Sequence, residues 1–312
     1  MRMQPQQELT NSGLNRPDVS HFFHSDTSTL TYVVACGDTG RCAIIDPVLD
    51  FDYASGSLKT TTADTLIEHI RSRALTVDLI LETHVHADHL TAAPYLQQHL
   101  GGQIGIGGMI NTVQSTFAEI FDETEDFPVD GSQFDRRFAD GDAFQVGGLT
   151  GTVLHVPGHT PACMAYLVGD ALFVGDTLFM PDGGTARCDF PGGDAAALFR
   201  SIQRLLALPD DTRVFVCHDY QPNGRPMAFE TTVLDQKVHN IHVHDGVSEA
   251  EFIAMREARD AELGMPDLII PSLQVNMRAG LMPPKNAAGR LLFKVPINAF
   301  ADGPAPDLPH GR

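Results

Sequence analysis

The segment Thr83-His84-Val85-His86-Ala87-Asp88-His89 follows directly on a short, largely apolar run at 77–81. A run of that length with little polar alternation reads as a strand buried on both faces. Chain leaving such a strand is held rigidly, so the fold must present four ligand-type side chains, His84, His86, Asp88 and His89, at one sheet edge. Alternate residues of an extended or looped segment point the same way, so His84 and His86 can converge on one point while Asp88 and His89 reach a neighbouring one. Imidazole and carboxylate together suit zinc, iron or manganese. A lone histidine is more often a surface or satisfied core residue, but that does not account for this cluster.

Three further pieces each follow a predicted strand: Val156-Pro157-Gly158-His159-Thr160, Val174-Gly175-Asp176-Thr177 and Val216-Cys217-His218-Asp219. Singly, each has a plain alternative, since Gly175-Asp176 is an ordinary turn and His218 could bond a loop. In this order, each at a strand end, they read as one constellation. Apolar runs at 30–36 and 42–45 around Gly37-Asp38-Thr39-Gly40 predict a hairpin, and runs at 152–156, 164–168, 171–174 and 213–217 predict a second batch of strands. Helical spacing marks 62–74, 92–100 and 112–121, a helix capped by Asp194, and one opened by the capping box Ser248-Glu249-Ala250-Glu251 and ending near Gly264. Strands in two batches with helices around each suggest two sheets packed together inside outer helices.

Composition narrows the function. The 312 residues carry 21 Lys+Arg against 40 Asp+Glu, a formal charge of −19, so the chain repels polyanions and nucleic acid is excluded as a partner. No apolar run is long enough to cross a bilayer and the start lacks a secretion signal, which together predict a cytoplasmic protein without a membrane partner. Five cysteines without a C-x-x-C pair read as reduced thiols. The expected organisation is a polar tail at 1–20, a main domain at 21–245, a C-terminal extension at 246–300 packed on that domain, and a tail at 301–312. The stretch 103–142 is a candidate pocket wall. Apolar pieces at 268–275 and 291–295 are expected in the core or in a subunit contact that supports a homodimer.

The ordered motifs T-H-V-H-A-D-H, G-H-T, G-D-T and C-H-D-Y resemble those of the metallo-β-lactamase superfamily over roughly residues 21–244. That resemblance implies an α/β (α+β) fold, the αββα sandwich of two mixed sheets flanked by helices, with a metal site at the edge where the halves meet. Within the superfamily the chain is similar to the persulfide dioxygenases (sulfur dioxygenases), and to their bacterial β-lactamase-like hydrolase branch. The segments carrying this are Ile45-Asp46-Pro47-Val48, Leu81-Glu82-Thr83-His84, Pro157-Gly158-His159-Thr160-Pro161-Ala162-Cys163, Gly184-Thr185-Ala186-Arg187-Cys188-Asp189-Phe190 and Val275-Asn276-Met277-Arg278-Ala279-Gly280.

The superfamily's zinc hydrolase layout places His84, His86 and His159 on one ion, Asp88, His89 and His218 on another, and Asp176 between. The dioxygenases instead use one Fe(II), held by the residues matching His84, His159 and Asp176. Two imidazoles and a carboxylate on one face leave three coordination positions open, as a non-haem oxygenase requires. His86, Asp88, His89 and His218 then orient ligands and hold water. The resemblance therefore implies oxidation of glutathione persulfide by O2 and water to sulfite and glutathione. The competing expectation is a two-zinc thioesterase similar to glyoxalase II, acting on acyl-glutathione.

Glutathione carries two carboxylates, and Arg187 is the first candidate to meet one, against an equally ordinary ion pair with Asp189 or Asp182. Tyr220 and Arg225 follow His218 closely enough to line the same pocket. Cys163 and Cys188 are read as inert buried thiols rather than a relay. His239, His242 and His244 read as a surface or interface cluster, and Gly105-Ile106-Gly107-Gly108 lacks the residues of a phosphate loop.

Overall fold

Two six-stranded sheets face each other in the computed structural model, which describes residues 16–123 and 126–300. The first runs, in spatial order, β1 (Asp18–His24), β2 (Thr29–Cys36), β3 (Arg41–Ile45), β6 (Thr76–Leu81), β8 (Gln103–Gly107) and β9 (Arg136–Phe138). The second runs β10 (Ala143–Val146), β11 (Leu149–His155), β12 (Met164–Val168), β13 (Ala171–Phe173), β14 (Arg213–Phe215) and β15 (Glu230–Thr232). A small sheet of β5 (Ser57–Lys59), β4 (Val48–Asp52) and β7 (Leu90–Thr91) sits apart from both. The helices are α1 (Thr61–Ser72), α2 (Ala93–Leu100), α3 (Ile110–Ile120), α4 (Ala195–Leu206), α5 (Val233–His239), α6 (Glu249–Asp260) and α7 (Ile269–Asn276).

Both sheets are mixed, because a hairpin needs only a tight turn whereas parallel neighbours need a crossover. The Gly37–Gly40 turn folds β2 back on β3, with Tyr32 opposite Ile45. β3, β6, β8 and β9 then run parallel, as do β13 and β14. In β2 every residue is buried, and the two-residue period divides them between two cores. Leu30, Tyr32, Val34 and Cys36 enter the core between the sheets, where they meet Phe173 and Phe215. Val33 and Ala35 enter the core under α1, α2, α3 and α7. This is the metallo-β-lactamase α/β sandwich with its mixed sheets and outer helices.

Helix signals lie close to where the sequence places them. The Asp194 carboxylate accepts the Ala197 N–H, and Ser248 and Glu251 cap each other's backbone. That second helix, α6, stops at Asp260 rather than near Gly264, because the following residues turn so that the carbonyls of Leu263 and Gly264 face the Arg187 guanidinium. The polar stretch at 1–20 is not wholly a tail: β1 begins at Asp18 and pairs with β2 along its whole length. As an edge strand of mixed character it carries no clear apolar alternation to betray it. Residues 1–15 and the tail at 301–312 lie outside the described residues. The piece at 268–275 forms α7 in the core, whereas Leu291, Leu292 and Val295 are exposed, and only Phe293 of that run packs inward, edge-on to Phe51. Among the described residues no helix is long and apolar enough to cross a membrane.

Candidate metal centre

Four short segments leave strand ends at one rim of the sandwich. His84 comes just after β6, His159 after β11, Asp176 after β13 and His218 after β14. The carboxyl ends of parallel strands are where such sheets open a crevice, and β6, β13 and β14 all stand in parallel pairs. Backbone bonds join the halves here: Met164 N–H donates to the Thr83 carbonyl at 2.8 Å and Leu30 N–H to the Cys217 carbonyl at 2.7 Å. Two glycines permit the close approach. A Cβ on Gly175, where φ is +52°, would lie 2.7 Å from Thr83 Oγ1, and one on Gly158 would lie 2.3 Å from the Leu198 backbone.

The ligand atoms of His84, His159 and Asp176 lie within 4.8 Å of one another. Asp176 Oδ2 is 3.8 Å from His84 Nε2 and 3.5 Å from His159 Nε2, while its Oδ1 is 3.3 Å from His218 Nε2. His86, Asp88 and His89 form an adjoining group, and Asp88 Oδ2 lies 3.5 Å from His218 Nε2. The seven residues singled out in the sequence are thus brought to one place.

The far side of each ring decides its tautomer. Thr83 Oγ1 donates to Asp46 Oδ2 at 2.8 Å and so accepts from His84 Nδ1 at 3.0 Å. His159 Nδ1 donates to the Arg187 carbonyl at 2.8 Å, and His218 Nδ1 to the Ser28 carbonyl at 3.3 Å. His89 Nδ1 faces Asp88 Oδ2 at 3.2 Å, and His86 Nε2 faces Asp46 Oδ1 at 3.0 Å and Glu82 Oε2 at 3.4 Å. Each of these partners accepts, so each ring carries a proton on that side; His84, His89, His159 and His218 turn the other nitrogen's lone pair inward, and His86 Nδ1 offers its own once the second proton that Asp46 favours has left. His86 Nδ1, His89 Nε2, His218 Nε2 and Asp176 Oδ1 are buried without a hydrogen-bond partner among the described residues. Five imidazoles and two carboxylates around one space make a donor set that fits a cation, which displaces the second proton of His86.

The charges follow from this arrangement. Burial, and then the neighbouring imidazoles, hold His84 well below the usual histidine range, and burial takes His89 down to about 4. Burial opposes charge on His86 too, but the Asp46 carboxylate overcomes it and raises that ring well above the usual range. Asp88 is held well below the carboxylate range by His218 and His89 in spite of its burial.

A cleft of about 960 Å³ opens over Asp88, His159 and Asp176. Arg187 lines it, but its guanidinium is gripped by both oxygens of Asp189 at 2.5 Å and by the Gly264 carbonyl, the ordinary ion pair weighed above. Tyr220 lines the cleft, stacked on His218 and edge-on to Phe179. Arg225 does not. It donates all five of its N–H groups, to Asp182, Asp219 and the Pro226 carbonyl, so none is left for a ligand, and the expectation that it lines the pocket is corrected. His242 is corrected likewise, since it is buried and its Nδ1 accepts the Thr185 N–H at 3.0 Å. Cys163 and Cys188 are buried free thiols that burial pushes up to about 12.

The sequence reading missed the roles of five side chains. Asp46 and Glu82 lie behind His86, and Asn276 of α7 donates to the carbonyls of His86 and His89 at 2.8 and 2.7 Å while accepting the Thr91 N–H. Lys59 and Arg259 line the cleft, and neither makes an ion pair among the described residues.

Comparison with known proteins agrees with this geometry. A "Beta-lactamase hydrolase-like protein" of Xylella fastidiosa is 50% identical over 94% of this chain and 67% of its own length. "Glyoxylase B2" of Dictyostelium discoideum is 44% identical over 91% of this chain and 98% of its own. The solved structure of ETHE1 from Myxococcus xanthus superposes with a TM-score of 0.68 at 30% identity, covering 85% of this chain and all of that one. The bovine "Persulfide dioxygenase ETHE1, mitochondrial" is 27% identical over 84% of this chain and 88% of its own. The family model described as the metallo-beta-lactamase superfamily matches residues 25–218, which hold the histidine cluster and all but one strand of each six-stranded sheet, and the chain belongs to that superfamily.

Proposed function

We propose that the protein is a persulfide dioxygenase that uses one Fe(II), held by His84, His159 and Asp176, to convert glutathione persulfide with O2 and water to sulfite and glutathione. The reaction balances as one persulfide, one O2 and one water giving one glutathione, one sulfite and two protons. The observation that carries the reading is the triad itself, two imidazoles and one carboxylate within 4.8 Å, a set that leaves coordination positions open. Fe(II) there supplies the one-electron chemistry that O2 requires and that the filled shell of zinc does not provide.

The protein's own groups do the rest. The Thr83 hydroxyl and the Arg187 carbonyl keep the protons of His84 and His159 on the outer nitrogens, so both Nε2 atoms stay available as ligands. His218 and His89 hold the water that releases sulfite, and the Asp88 carboxylate, kept ionised beside them, orients both rings. Lys59 and Arg259, cations without an ion-pair partner among the described residues, meet the glutathione carboxylates, and Tyr220 covers the peptide. Asp26, Asp50, Asp52 and Asp267 in the same cleft repel a phosphate backbone, so nucleic acid is not a substrate. Such a reaction, in a chain with five free thiols, belongs in the cytoplasm.

A second reading has its own support. The unpartnered His86 Nδ1, His89 Nε2 and His218 Nε2 could grip a second cation, which favours a two-zinc thioesterase acting on acyl-glutathione, in line with the name of the Dictyostelium relative. Metal content of protein purified without added metal, read beside O2 uptake with glutathione persulfide, separates the two. One iron per chain with uptake supports the oxygenase. Two zinc ions with thioester cleavage and no uptake ends it.

A further inference from the structure

Next to His159 lies a second, smaller space. Val85 and Ala87 of the ligand loop, Val113 and Phe117 of α3, Phe190, Ile269 and Leu273 form its apolar wall, with Pro161, Pro191 and Thr160 closing it. It shares Ala87 and His159 with the large cleft and no other lining residue. The Phe190 ring meets the His159 ring edge-on, with centroids 5.3 Å apart.

The chemistry of that wall selects its occupant. The space measures about 20 Å³, where the large cleft measures about 960 Å³ on the same basis, so it holds one small molecule. A water there needs two or more polar partners, and the side chains of the lining offer few. His159 Nδ1 is taken by the Arg187 carbonyl, and Thr160 Oγ1 is taken by Cys163 Sγ and the Ala162 N–H. None of the unpartnered buried side-chain polar atoms among the described residues belongs to its lining. An apolar cavity of this kind stays dry and takes up apolar guests such as xenon. The large cleft is its opposite, polar and lined by Lys59, Arg259 and several aspartates.

We propose that this pocket is a dioxygen site, a dry antechamber that delivers O2 to the metal centre past His159 while the ionic substrate enters through the large cleft. The assignment of O2 rests on the oxygenase reading above. Two entrances of opposite polarity let both reactants arrive in either order, since neither occupies the other's path. The division also gives a role to the 103–142 stretch, whose helix α3 supplies Val113 and Phe117.

Xenon-pressurised crystals of the metal-loaded full chain, kept free of persulfide, test the pocket without recourse to activity. Xenon density between Val113, Phe117 and Phe190 is expected, and its absence overturns the proposal. Two variants then test the delivery. Val113→Phe fills the space and is expected to raise the KM for O2 several-fold with the KM for persulfide unchanged. Val113→Ala enlarges it and is expected to raise xenon occupancy and to leave the KM for O2 equal or lower, which keeps the test sound if the larger side chain fails to fold. An unchanged KM for O2 in folded Val113→Phe, with O2 uptake intact, overturns this proposal alone. No O2 uptake by the iron-loaded parent overturns the oxygenase reading and the assignment of O2 with it, whatever the xenon shows.

Discussion

Asp46 and His86 form a buried pair, with Oδ1 3.0 Å from Nε2, in which the carboxylate also receives the Thr83 N–H at 2.7 Å and the Thr83 hydroxyl at 2.8 Å. One side chain thereby fixes the outward proton of His86 and, through Thr83, that of His84. Asp46→Asn keeps the shape but removes the charge, and its amide presents a donor where acceptors are required. Loss of such a supporting group costs about 10- to 100-fold in metal affinity. Competitive chelation followed by metal analysis reads this directly, and an affinity equal to the parent's would contradict the assigned tautomers.

His218 separates the one-iron from the two-zinc arrangement. It approaches Asp176 Oδ1, whereas His84 and His159 approach Oδ2. His218→Ala is expected to keep one iron per chain with a reduced kcat, and His159→Ala to lose the iron altogether. Metal content measured on both variants checks this, and loss of iron from His218→Ala would point to a ligand set larger than the triad.

Arg259 and Arg225 should behave as opposites. Arg259→Ala removes from the cleft a cation that has no ion-pair partner among the described residues, so it should raise the KM for a glutathione-bearing substrate about tenfold, equivalent to about 1.4 kcal/mol, with less effect at high salt. Arg225→Ala instead leaves Asp219, almost wholly buried, without its counter-ion. That change should destabilise the fold by about 3 kcal/mol, seen in urea unfolding, with little change in KM for the enzyme that remains folded.

Acid should weaken the fold through His242. Burial lowers this histidine to about 4 from its ordinary 6.5. Its Nδ1 must stay unprotonated to accept the Thr185 N–H. Between those two pH values the unfolded chain binds a proton that the folded one refuses, so stability falls as pH drops through that window and is unaffected above it. The full difference is at most about 3 kcal/mol. His242→Asn, which offers an oxygen near the same place, should show a shallower loss between pH 6.5 and 4 when thermal midpoints are compared.

The metal cluster was legible because its residues occupy short contiguous motifs at strand ends, where backbone geometry alone makes them converge. Its supports were not. Asp46 and Asn276 stand in segments that carry the family resemblance, yet Asn276 meets the His86 carbonyl across a sequence separation of 190 residues, and no local pattern announces such a partner. Lys59 and Arg259 were missed for a related reason: a cation counts as available only once its neighbours are known, and Arg225 and Arg187 look equally available in the sequence. The fold showed the same division. Buried strands such as β12 stood out by apolar content, while the edge strand β1 and the three-residue strands β9 and β15 carry too few inward residues to set a period.

His84 belongs to one half of the sandwich, whereas His159, Asp176 and His218 belong to the other. A cation gripped among them is therefore a rivet through the rim as well as a reagent. Until it is seated, His89 Nε2, His218 Nε2 and Asp176 Oδ1 are buried without a hydrogen-bond partner among the described residues, so the rim should open more readily before loading than after. Protein starved of its ion should then be easier prey for proteases at that edge, and supply of the ion would govern how much enzyme survives as well as how fast each copy works.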